Sequence, residues 1–373
     1  MLIFQRKIED KIRGLLFKGK MVTLLGPRQS GKTTLTKKII QSFGDDGGYF
    51  DCQLAEVRKH FVLGDPDALM RLAEGKRIVA FDEAQTIQNI GAILKAFFDT
   101  YPHIQIIATG SSSFDLANKI KEPMTGRAFE FLLLPLSLEE ISLVKEVTKE
   151  DLYEYMRLGQ YPAVVGAETT LEKEEAIKSI STNYLYKDIF VFEAIRNPKV
   201  FEDLLKLLAL QIGSTVSINE LSRSLGVTRT TVNRYMRLLE QSFIIKRVYS
   251  FSTNPRTELK KAFKVFFLDV GVRNALVDVL SSVESRKDKG AVFENLVVAE
   301  LMKRGTLDTF PSELMFWRTR AGLEIDIIEK QGQEIRAYEC KWKQEKVSFD
   351  TFMEKYPQAT AKLVTVDNLL SVL

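Results

Sequence analysis

An apolar run, Met21-Val22-Thr23-Leu24-Leu25, breaks into Gly26-Pro27-Arg28-Gln29-Ser30-Gly31-Lys32-Thr33 and then into an amphipathic stretch from Thr34 to Phe43. Strand, glycine loop and helix, in that order, is the context a phosphate-cradling P-loop requires. Glycines at both ends let the backbone curl, so that successive N–H groups point at one anion. The helix that follows turns its positive N-terminus toward the same anion. Lys32 has the reach for β- and γ-phosphates, and the Thr33 hydroxyl suits a place on Mg²⁺. Residues 26–34, Thr34 included, are therefore expected to bind ATP. The alternative, a glycine turn that merely starts a helix, does not account for the full pattern in this context.

Two later strands point to the same chemistry. Arg77-Ile78-Val79-Ala80-Phe81-Asp82-Glu83 reads as a buried parallel strand with carboxylates at its C-terminal end. In open α/β sheets ligands bind at those ends. Asp82 is expected to hold Mg²⁺, directly or through water, and Glu83 to act as general base on the attacking water. Ile104 to Ser112 is a further buried strand that runs into small polar residues. Thr109 and Ser111 are both candidates for a hydroxyl that senses the γ-phosphate, and both also suit a helix cap. Arg127, in Met124-Thr125-Gly126-Arg127, has three readings. It neutralises charge on the transferred phosphoryl group in its own site, does so in a neighbouring subunit, or is a surface arginine.

These segments resemble the AAA-type P-loop ATPases of archaeal and bacterial genomes that carry a C-terminal domain of uncharacterised function. The matching stretches are Gly-Pro-Arg-Gln-Ser-Gly-Lys-Thr-Thr, Phe-Asp-Glu-Ala-Gln, Thr-Gly-Ser-Ser-Ser and Gly-Arg, together with Tyr184-Leu185-Tyr186-Lys187-Asp188-Ile189 further on. The resemblance implies a five-stranded core with the P-loop strand central. It extends through the rest of the chain.

Composition narrows the alternatives. The chain has 373 residues, 45% hydrophobic and 27% charged, which suits two or three globular domains. Apolar stretches such as Phe131 to Leu136 are far too short to span a bilayer. The first twenty residues mix acids with bases and have no secretion-signal pattern. Two cysteines far apart, Cys52 and Cys340, fit a reducing cytoplasm. His60 and His103 stand alone, so a His/Cys metal cluster is not expected. A net charge of +4 permits nucleic-acid binding without requiring it.

Beyond an ATPase domain at 1–136, residues 137–200 read as a helical lid or linker. Residues 201–259 have helix-turn-helix grammar with a wing. In the third helix of that set, Val232, Tyr235, Met236 and Leu239 form an apolar face, and Thr230, Asn233, Arg234 and Arg237 the opposite one. That polar face suits duplex DNA, or is simply solvated. From residue 260 the pattern turns to short strands around one strong helix, Gly290 to Lys303. Glu294 lies on the buried side of this helix, where a carboxylate is costly unless paired or metal-bound. Asp326 sits in one following strand, and Glu339 and Lys341 share a face of the next. Helix Glu, strand Asp and Glu-X-Lys are similar to the restriction-endonuclease-like, PD-(D/E)XK fold. That resemblance implies Mg²⁺ on Asp326 and Glu339, with Glu294 and Lys341 in support. The alternative is a buried ion-pair network.

The expected fold class is thus α/β: a P-loop NTPase, then a winged helix, then a PD-(D/E)XK-like domain. The expected function is a cytoplasmic, homo-oligomeric ATPase that couples ATP and Mg²⁺ to a DNA-binding module, with no membrane segment. An ATP-gated nuclease and a nucleotide switch for a protein partner are the alternatives.

Overall fold

The computed structural model describes residues 4–111, 126–183, 195, 197–251, 262–319 and 321–372. Ser112, Met124, Thr125 and the segment Tyr184 to Ile189, all singled out in the sequence, lie outside them. The chain divides into two compact units. One comprises Gln5–Pro135 with Gln241–Phe243, and the other is built mainly from Leu136–Glu240 and the residues from Ile244 onward.

In the first unit, helix α1 (Ile8–Leu15) precedes strand β1 (Met21–Leu25), and helix α2 (Lys32–Gln41) follows it. Strands β2 (Gly47–Asp51), β3 (Ile78–Asp82), β4 (Gln105–Gly110) and β5 (Ala128–Leu132) complete the sheet. All pairings are parallel and the order is β2-β3-β4-β1-β5. The P-loop strand β1 is interior, but the middle position belongs to β4, which corrects the expected central placement. Every residue of β1, β3 and β4 is buried, as parallel strands covered on both faces must be. Phe81 anchors the core, with the rings of Phe61 at 5.1 Å and Phe50 at 5.9 Å. Parallel register brings Leu25, Asp51, Asp82 and Gly110 to one edge of the sheet.

The second unit is organised on a seven-stranded mixed sheet. Its strands are β6 (Thr215–Val216), β7 (Ile245–Ser250), β8 (Phe263–Phe267), β9 (Glu313–Arg318), β10 (Glu324–Gln331), β11 (Glu334–Cys340) and β12 (Thr360–Val364). The order is β12-β11-β10-β9-β7-β8-β6. Strands β7 and β8 flank the expected boundary at 259 and pair antiparallel, and β7 also pairs parallel with β9. Residues 201–259 and 260–373 therefore share one sheet. The pairing that joins them is non-local, which local hydrophobic periodicity does not register.

Helices Pro198–Leu210, Ile218–Ser224 and Arg229–Gln241 precede β7. Asn197 and Ser217 cap the first two by accepting from Val200 N and Glu220 N. Helix Lys289–Gly305 packs on β8 and β11. Its buried Asn295 accepts from Phe267 N at 2.9 Å and donates to Phe267 O at 2.7 Å. The side-chain amide thereby pairs with the end of β8 as a neighbouring strand would. Among the described residues, no helix is long and apolar enough to cross a membrane.

Candidate functional site

The loop after β1 has the shape its glycines permit. Gly26 has φ +150°, and a Cβ there would lie 2.1 Å from Leu133 O. Gly31 has φ +99° and starts α2. Lys32 is buried, and its Nζ donates to Gly26 O at 2.8 Å and Pro27 O at 2.7 Å, folding the ammonium over its own loop. The buried Ser30 hydroxyl has no hydrogen-bond partner among the described residues. Pro27 is buried, Arg28 half-buried, and Gln29 and Thr34 exposed.

Asp82 ends β3 as a hub of hydroxyls. Oδ2 accepts from Thr33 Oγ1 at 2.7 Å and from the Tyr49 hydroxyl at 2.5 Å, and Oδ1 accepts from Thr109 Oγ1. Thr109 in turn accepts from Glu83 N at 3.1 Å. Hydroxyls satisfy the carboxylate lone pairs without supplying charge, so the set suits a divalent cation held by oxygen ligands. The orphaned Ser30 hydroxyl, the curled glycines and this hub fit a triphosphate with its Mg²⁺. Burial, and then Asp82 itself, raises the pKa of Tyr49 and keeps it a donor.

Glu83 is half-buried and adopts left-handed backbone, φ +53°, which is strained for a residue with a Cβ. Gln85 Nε2 donates to Glu83 Oε2 at 2.5 Å and to Ser111 Oγ at 3.1 Å. Ser111 therefore joins the site through Gln85, and Thr109 through Asp82.

Sequence reasoning missed Tyr49 and Arg6. Arg6 is buried ahead of α1 and donates to Ser30 O at 2.6 Å and Leu134 O at 2.7 Å, tying the loop to the chain after β5. Nothing local marks either residue, because their partners are distant in sequence.

Arg127 requires a correction. It lies at the start of β5, where Ala128 pairs with Met21, and Met21 N donates to Arg127 O. The loop leaves the other end of the five-residue strand β1, roughly 16 Å away at about 3.3 Å per residue. Its side chain bonds Asp99 at 3.0 Å. Parallel pairing thus sets Arg127 at the sheet edge opposite its own loop, so it does not serve that site.

In the second unit, Thr230, Arg234 and Arg237 are exposed and Asn233 is half-buried, while Val232, Tyr235, Met236 and Leu239 are buried. Asn233 donates to Arg229 O of its own helix at 3.0 Å. The four acid-site candidates each have a protein partner. Glu294 Oε1 accepts from Lys264 Nζ at 3.0 Å, and the same ammonium lies 2.6 Å from Glu324 Oε1. Asp326 accepts from Cys340 N at 2.8 Å, and Glu339 pairs with Lys341 at 3.0 Å. Burial raises the Glu294 carboxyl, and Lys264 pulls it back down. Burial also raises Asp326 and Glu339. Among the described residues, no group of three or more His, Cys, Asp or Glu side chains is placed to hold a metal ion. Of the pair expected to hold Mg²⁺, Asp326 thus carries a backbone N–H and Glu339 an ammonium.

The parallel sheet, the curled glycine loop and the Thr33–Asp82 hub give the first unit the form of a P-loop nucleotide-binding domain. Residues 18–142 match the family model described as an AAA domain, and 149–283 and 289–370 match domains of unknown function, DUF8612 and DUF4143. An uncharacterized protein of Methanocaldococcus jannaschii is 25% identical over 348 residues, covering 87% of this chain and 75% of the relative. One from Mycobacterium tuberculosis is 25% identical over 339 residues, covering 89% and 73%. Among solved structures, Pif1 helicase from Candida albicans overlaps at TM-score 0.27, with 13% identity and 48% of each chain covered. The S. cerevisiae Hsp104-ADP complex overlaps at TM-score 0.31 with 13% identity, covering 82% of this chain and 44% of that one. Scores this low carry nothing beyond the overlap itself.

Proposed function

We propose that the chain hydrolyses ATP in the first unit and uses the nucleotide state to control a DNA-binding second unit. The observation that carries the first half is the Thr33 hydroxyl on Asp82 at 2.7 Å. It joins the first helical turn after the loop to the acid at the end of β3, the two groups that would hold Mg²⁺. The backbone of 26–33 would cradle the phosphates, with Lys32 swinging from its own carbonyls to the β- and γ-oxygens. Bound Mg²⁺ neutralises charge on the transferred phosphoryl group. Glu83, steadied by Gln85, is the group for the attacking water, and Thr109 holds Asp82 and the Glu83 backbone in register. The half-exposed Arg127 is left for a neighbouring copy, in a homo-oligomer. The setting is cytoplasmic.

Lys32→Ala is expected to abolish ATP turnover in a phosphate-release assay, and unchanged turnover overturns the assignment. The second half is supported by the exposed Thr230, Arg234 and Arg237 on a helix whose other face is buried. Arg234→Ala with Arg237→Ala should weaken duplex binding and flatten its salt dependence by up to about two phosphate contacts. An unchanged salt slope would favour a protein partner instead.

A further inference from the structure

The acids of the second unit follow the order of a divalent-cation site, yet the structure has already neutralised them. Lys264, on β8, is 2% exposed at its side chain and places Nζ 3.0 Å from Glu294 Oε1 and 2.6 Å from Glu324 Oε1. The Phe316 ring lies 5.4 Å from the same Nζ. Arg318 is a second cation on Glu324, at 3.6 Å. Asp326 is spent on Cys340 N and Glu339 on Lys341. A divalent ion needs several oxygens converging on one point at about 2.0–2.6 Å. Here the oxygens are drawn onto two ammonium groups, a guanidinium and a backbone N–H. The residues do not fit a metal ion.

We infer that the Lys264 ammonium is the resident cation of this cluster and stands where a divalent ion would otherwise sit. The charge is covalently part of the chain, so it neither dissociates nor exchanges. It joins helix Lys289–Gly305, through Glu294, to β8 and β10. A metal ion entering would have to displace a buried ammonium that bonds both Glu294 and Glu324. With no exchangeable Lewis acid, these acids offer no metal-assisted route to phosphodiester cleavage. This inference does not depend on the ATPase reading, since none of its residues lies in the first unit.

The test titrates Mn²⁺ into the full-length chain without nucleotide, with Asp82→Asn present throughout to silence the other carboxylate site. Free Mn²⁺ is read by electron paramagnetic resonance and unfolding by calorimetry. With Lys264 intact, no saturable Mn²⁺ site and no shift of Tm are expected. Lys264→Ala should gain one equivalent of bound Mn²⁺ together with an Mn²⁺-dependent rise in Tm, and added Glu294→Gln should abolish both. One equivalent bound by the chain that retains Lys264, lost on Asp326→Asn, overturns the inference. So does a folded Lys264→Ala chain that binds none. Lys264→Met, which keeps much of the side-chain volume, serves if the alanine variant does not fold. If neither folds, the titration of the Lys264 chain decides alone: one equivalent overturns the inference and none upholds it.

Discussion

Asp82 and Lys264 are charged centres built on opposite plans. Asp82 is a carboxylate ringed by the hydroxyls of Thr33, Tyr49 and Thr109. Lys264 is an ammonium ringed by the carboxylates of Glu294 and Glu324. A hydroxyl donates without adding charge and keeps lone pairs of its own, so Thr33 can turn from donor to ligand when a cation arrives. The hub at Asp82 is thus ready for an exchangeable charge. An ammonium brings its charge with it, and burial then locks the arrangement. The difference teaches that a row of acids in a sequence does not reveal whether its counter-ion is imported or built in.

The comparison can be broken at either centre. The largest effect is expected at Glu83→Gln, which keeps the shape but removes the base. ATP hydrolysis should fall by about 10²–10⁴-fold with nucleotide binding retained, measured by single-turnover assay beside calorimetry. If turnover survives, the polar cluster at the end of β3 is not catalytic. Lys264→Ala should cost about 3–5 kcal/mol in stability by denaturant unfolding, because it leaves the buried Glu294 without its cation. A cost near zero would make Lys264 a surface-like pair and erase the contrast. Tyr49→Phe sharpens the other side. Loss of one hydrogen bond to a charged acceptor, about 1.5–3 kcal/mol, should raise the Mg²⁺ concentration needed for half-maximal turnover by roughly tenfold or more. An unchanged Mg²⁺ requirement would mean that Tyr49 only packs.

Part of this was legible in advance and part was not. The loop 26–33, the strand that ends in Asp82 and the strand that carries Thr109 follow from short-range pattern, since glycine spacing and apolar runs act on neighbouring backbone. The two faces of the helix Arg229–Gln241 were readable for the same reason: burial follows the helical repeat. Arg127 was not. Only the parallel pairing of β5 with β1 shows which edge of the sheet it occupies.

By itself the sequence determined which backbones curl, which strands are buried and where acids stand at strand ends, because these depend on residues a few positions apart. The tertiary structure alone decided the partners. Tyr49 meets Asp82 across 33 residues, Arg6 meets Ser30 across 24, and Lys264 meets Glu294 across 30. A charged side chain takes its meaning from what neutralises it, and that group is chosen by packing in space, over separations that no local spacing encodes.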